Sequence, residues 1–127
     1  MKKLFLMPSS IVLDKSEEFA LRIVKLYQYL SERPVNREKV LSLQLLRSGT
    51  SIGANIAEAE FAISKDDFKA KMYISLKECN ESKYWLRLLH RADYLTDSEF
   101  ESIYNDADEI LRLLIAITKK VKENIGK

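Results

Sequence analysis

Apolar residues recur at steps of three and four along most of this chain, and the places where that rhythm breaks divide it into four segments. The first helix is expected from about Asp14 to Ser31, with Ala20, Ile23, Tyr27 and Leu30 on one face and Phe19 and Leu26 flanking it. Pro34 ends it, because proline lacks an amide hydrogen and biases Arg33 away from helical angles. Met1 to Leu13 shows no clear period and reads as a candidate docked arm. A second helix is expected from Asn36, a plausible N-cap, through Glu60, with Val40, Leu41, Leu45, Ile52 and Ile56 as apolar contacts. Ser64 followed by Asp67 forms the capping signature of a third, whose core stripe is Phe68, Met72, Leu76, Cys79, Leu86 and Leu89 and which lasts to about Ala92. Thr96 with Glu99 opens the fourth.

That fourth segment carries the strongest heptad pattern: Phe100, Ile103, Ala107, Ile110, Leu114, Ile117 and Val121 alternate steps of three and four without a miss. Asp97, Glu99 and Glu101 crowd its start and Lys119, Lys120 and Lys122 its end, matching the helix dipole, and Gly126 is expected to end it. The connections, roughly 32–35, 61–63 and 93–95, are short enough to make consecutive helices antiparallel neighbours. The fold class is therefore all-α: an antiparallel up-down-up-down four-helix bundle forming one domain over residues 1–127.

The second segment departs from the simple pattern. Gln44, Ser48, Ser51, Asn55 and Glu58 share one helical face, while Gly49, Gly53 and Ala57 make a smooth stripe beside it. Each glycine costs about 1 kcal/mol of helix propensity relative to alanine, so a closely approaching neighbour is expected to offset it. For the polar row two readings stand. Gln44, Ser51 and Asn55 are buried and bonded to neighbouring helices, fixing the register of the bundle, or they form a site for a ligand, partner or second subunit. Arg47 and Glu58 are too far apart to pair directly, so each is expected to bridge to another helix or subunit.

Composition narrows the class. The chain has 127 residues, 46% apolar and 31% charged, with few glycines and prolines, as a helical domain requires. Its formal net charge of +2 means that nucleic-acid contact would need a local patch or several assembled copies. The single cysteine, Cys79, excludes an intramolecular disulfide, and no segment approaches the ~20 apolar residues of a membrane helix. A cytoplasmic protein is expected, with no membrane partner.

Lys83, Arg87 and Arg91 recur at steps of four beside Tyr84 and Trp85, a combination that can grip phosphates and stack on unpaired bases. Glu78, Glu81 and Asp93 lie close by, and a mixed-charge solvated face competes with that reading. Tyr73, Tyr84, Trp85 and Leu88 exceed what one bundle readily buries and suggest an interface. Catalytic chemistry finds little support. His90 is the only histidine, so the paired Glu-x-x-His motifs of a di-iron bundle are missing, as are a zinc-ligand cluster, a phosphate-cradling loop and a convincing triad. No catalytic, cofactor or metal residue is assigned. Cys79 reads as a small core residue and His90 as a surface or half-buried one.

Gln44-Leu45-Leu46-Arg47 followed by Ser51-Ile52-Gly53-Ala54-Asn55-Ile56-Ala57-Glu58 resembles the small four helix bundle protein family, first read from intervening sequences in bacterial 23S rRNA genes and often labelled ribosomal. The resemblance runs more loosely through Leu76 to Glu81 and the Tyr94-Leu95-Thr96 turn, covering about Leu41 to Lys120. It implies a non-catalytic homo-oligomer, a homopentamer arranged as a barrel around a channel. A related branch serves as the accessory protein of diversity-generating retroelements, where a basic pentamer binds nucleic acid and a reverse transcriptase. The present chain differs from that branch in being nearly neutral. Gln44, Arg47, Ser51, Asn55 and Glu58 match the family motif, and the partners expected are the chain itself and RNA or an RNA-associated protein.

Overall fold

The computed structural model describes residues 2–126, with side chains from Ile11 to Val121. It contains α1 (Lys2–Glu32), α2 (Val40–Ala59), α3 (Lys65–Arg91) and α4 (Asp97–Gly126), with no strand among the described residues. α2 packs on α1 and α3, α4 packs on α3 and α1, and the two diagonal pairs do not touch. The all-α, up-down-up-down bundle expected from the periodicity is the architecture found.

The expected stripes form a single core. Phe19, Ile23 and Leu30 from α1 meet Leu45, Ile52 and Ile56 from α2, Met72, Cys79, Leu86 and Leu89 from α3, and Ile103, Ala107, Ile110 and Leu114 from α4. Removal of these side chains from water, at about 25 cal/mol per Å² of apolar surface, supplies the main drive for the fold.

Two helix starts differ from the sequence expectation. α1 begins at Lys2 rather than Asp14, so residues 2–13 are helical and not a separate arm. Val12, wholly buried, extends the stripe of Ser16, Phe19 and Ile23 by one further turn. At the other correction, α2 begins at Val40 and Asn36 is not its cap. Asn36 takes the left-handed conformation, φ 57°, and donates its side-chain amide to the Asp93 carbonyl at 3.2 Å, tying together two loops at one end of the bundle. Glu38 does the capping instead. Its buried carboxylate accepts from the amides of Val40 (2.9 Å), Leu41 (3.0 Å) and Ser42 (2.7 Å), three donors that the helix cannot satisfy itself.

The other two caps follow the sequence. Asp67 donates its amide to Ser64 Oγ at 3.0 Å, although the Asp67 carboxylate reaches the Ile63 amide rather than that of Ser64. Thr96 and Glu99 form a reciprocal box, Glu99 N to Thr96 Oγ1 at 3.2 Å and Thr96 N to Glu99 Oε1 at 2.8 Å. α4 ends at Gly126, and Lys127 lies outside the described residues.

Candidate functional site

The motif-bearing helix α2 presents two seams. Toward α1 it offers its glycines. A methyl group placed on Gly49 would lie 3.1 Å and 3.2 Å from the two γ carbons of Ile23, and one placed on Gly53 would lie 3.1 Å from Ser16 Oγ. The close neighbour required by two mid-helix glycines is therefore α1 of the same chain. The stripe is internal packing, with Ala57 half-buried at its end.

Toward α3 the polar row divides by depth. Ser48 is fully buried, its hydroxyl 2.9 Å from that of Ser82, and Ser75 donates to the Ile52 carbonyl at 2.8 Å. These hydroxyls link α2 to α3 across the core. Ser75 and Ser82 carried no signal in a search for large apolar residues; only their heptad step, in line with Met72 and Cys79, pointed inward. Gln44, by contrast, is exposed, and Ser51 and Asn55 are half-buried. Ser51 donates to its own helix at the Arg47 carbonyl (2.7 Å), and Asn55 to the Ser51 carbonyl (2.8 Å). The expectation that Gln44, Ser51 and Asn55 are buried and bonded to neighbouring helices is corrected. The helical face they share rotates toward solvent as it passes Ser48.

The motif's charged residues line the outer edge of the same seam. Arg47 bridges to Glu78 at 3.4 Å and to Glu81, and Glu58 pairs with Lys71 at 2.9 Å. Trp85 donates its indole N–H to Glu81 at 2.9 Å. That indole bond, with help from Arg47, holds the Glu81 carboxyl below the usual carboxylate range. The Arg47 guanidinium is raised in turn, chiefly by its bond to Glu81. Pairs this exposed contribute about 0–1 kcal/mol each, so they orient side chains more than they stabilise the fold.

The basic residues of α3 separate. Lys83 is largely covered: its ammonium sits 2.8 Å from Asp108 on α4 and 5.0 Å from the Tyr104 ring centre. The Asp108 carboxyl is lowered by that bond. Arg87 is exposed, donating to the Tyr104 hydroxyl at 3.0 Å and lying 6.0 Å from the Tyr84 ring centre. Arg91 is exposed and Tyr84 is 46% exposed, whereas Tyr73, Trp85 and Leu88 are half-buried. The three basic positions thus do not act as one patch, because Lys83 already has its carboxylate.

The chemistry-bearing side chains have structural partners. Cys79 is buried against the Ala107 carbonyl, and burial pushes its thiol up to about 12, which leaves it protonated. His90 stacks on Phe100 with ring centres 4.2 Å apart, and its Nε2 lies 2.7 Å from Asp97. It borders an open cleft of about 390 Å³ with Tyr29, Arg33, Tyr94 and Asp97. Among the described residues no group of three or more histidines, cysteines or carboxylates could hold a metal ion, and no helix is long and apolar enough to cross a membrane.

The pairing of this motif helix with a four-helix scaffold is decided by comparison with known families. The model of the 23S rRNA-intervening sequence protein family matches residues 9–116. The chain belongs to that family. Within it, a crystal structure of a Bacteroides thetaiotaomicron protein of unknown function, from the S23 ribosomal protein family, is 55% identical. The match covers 89% of this chain and 99% of that one, with a TM-score of 0.84. No curated protein matches. For the 23S rRNA-intervening sequence family, the α2 motif has a structural meaning here: its small residues seat α1, and its charged residues meet α3.

Proposed function

We propose that this chain is a non-catalytic, cytoplasmic, homo-oligomeric scaffold whose assembled copies present a surface to RNA or an RNA-associated protein. The observation that carries the reading is apolar surface left on the outer faces of the helices. Leu21 on α1 is 62% exposed and Leu43 on α2 is 50% exposed, and helical spacing puts them beside half-buried Val24 and Leu46 on one outer seam. Contiguous apolar surface of this kind marks interaction sites, whereas single exposed residues do not. Self-association would also multiply a weak basic surface by avidity, which a nearly neutral chain needs in order to hold a polyanion. Arg87 and Arg91 are the α3 cations left to contact phosphate.

One observation favours a protein-only adaptor as the second reading: Lys83 is held by Asp108, which leaves the basic row short of a charge. Titration of structured RNA binding against salt separates the two. Binding at low ionic strength that weakens steeply with salt supports the RNA-associated scaffold. No binding at any salt, together with a partner that survives nuclease treatment in a pull-down, supports the adaptor.

A further inference from the structure

The geometry points to a head-to-tail interface in which the outer face of α1 on one copy packs against the outer face of α3 on the next. This rests on the self-assembly reading above and names the surfaces that it would use. α1 and α3 run in the same direction on opposite sides of the bundle, since each packs on α2 and α4 and not on the other. Their free faces carry opposite charge. On α1, helical spacing aligns Asp14, Glu18, Leu21, Lys25, Gln28 and Glu32, all exposed. On α3 the corresponding row is Tyr73, Lys77, Asn80, Tyr84, Arg87 and Arg91, with Tyr73 half-buried and the rest exposed. Among the described residues, Glu18, Lys25, Glu32, Lys77 and Arg91 take part in no ion pair within the chain.

The two rows are also level with one another. α2 links them: Gly53 abuts Ser16 while its neighbour Ile52 accepts from Ser75, and Gly49 abuts Ile23 while its neighbour Ser48 meets Ser82. Ser16 is thus level with Ser75, and Ile23 with Ser82, the same offset of 59 residues in both cases. Applied to the outer rows, that offset sets Glu18 against Lys77, Glu32 against Arg91, Gln28 against Arg87, and the Lys25 ammonium against the Tyr84 ring. Two carboxylates meet two cations, and the one cation of the α1 row meets an aromatic face, which attracts it. Rotation about an axis parallel to the helices keeps every copy at one height, so a ring of copies would bring these pairs together. Opposite faces that match in this way make a heterologous contact, which closes into a ring when the rotation allows it.

Charge reversal tests the interface. Glu18→Lys with Glu32→Lys, Lys77→Glu with Arg91→Glu, and all four together would be compared with the unaltered chain by light scattering, with far-UV circular dichroism to check folding. Each reversed pair is expected to lower the mass toward the 14.8 kDa of one chain, and the fourfold exchange to restore it. A mass unaffected by either pair, or a folded fourfold variant that stays dissociated, overturns the interface while leaving self-assembly standing. If Lys77→Glu with Arg91→Glu keeps the assembled mass and abolishes RNA binding, the α3 face belongs to RNA and the interface is again wrong. An unaltered chain at 14.8 kDa would remove the self-assembly reading itself.

Discussion

Trp85 donates its indole N–H to the Glu81 carboxylate one helical turn earlier, at 2.9 Å. Because this is the chain's only tryptophan, its fluorescence reports directly on the outer α2–α3 seam. The Glu81 carboxyl is lowered first by that bond and then by Arg47. Its contribution to stability is therefore present above the ordinary carboxylate pKa and is lost as pH falls through the lower value of the folded state. Acid titration should change the tryptophan emission with a midpoint below that of an ordinary glutamate, and Glu81→Gln should abolish the transition. A midpoint in the usual glutamate range would mean that the seam does not hold this carboxylate.

Gly49 sits where Ile23 leaves almost no room. Alanine there would gain about 1 kcal/mol of helix propensity. Its methyl group would press on both γ carbons of a wholly buried, β-branched side chain with little rotamer freedom. Overpacking of this kind costs about 1–3 kcal/mol, so Gly49→Ala should be destabilising by roughly 1 kcal/mol net in urea unfolding. Ile23→Ala in the same chain should reduce the penalty of adding that methyl. A stabilised Gly49→Ala variant would show that α1 and α2 are not pressed together at this point.

Glu38 closes the first turn of α2 from inside the protein, 8% exposed. Its removal leaves three amide donors at Val40, Leu41 and Ser42 without the carboxylate. Glu38→Ala should cost about 1–3 kcal/mol, the range for leaving buried hydrogen-bonding groups unsatisfied. Asn36→Ala, which removes only a loop contact, should cost less. Thermal unfolding of the two variants side by side checks the order, and the reverse order would restore Asn36 as the cap.

Those positions show what the sequence made legible. The α4 stripe could be read because every core position carries a large apolar residue, and the caps at Ser64 and Thr96 because their side chains act within one turn. The need for a close neighbour at Gly49 and Gly53 followed from propensity alone, although its identity, α1, required the tertiary structure. Glu38 was missed because a glutamate capping forward into the next turn is an uncommon arrangement and Asn36 offered a more familiar one. The start of α1 was missed because Pro8 and the mixed run before Asp14 hide the period that Val12 continues. Gln44, Ser51 and Asn55 misled because a row at helical spacing gives a direction only to within a turn's drift. Ser48 lies on the inner side of that drift, and its neighbours along the row lie outside.

Self-association is the claim on which the functional reading depends, and the solution mass of the unaltered chain tests it most directly. Light scattering across a range of concentrations at moderate salt should give a single assembly whose mass is a multiple of 14.8 kDa. A mass of 14.8 kDa at every concentration would leave the outer apolar surface without a second copy to cover it, and would contradict the account.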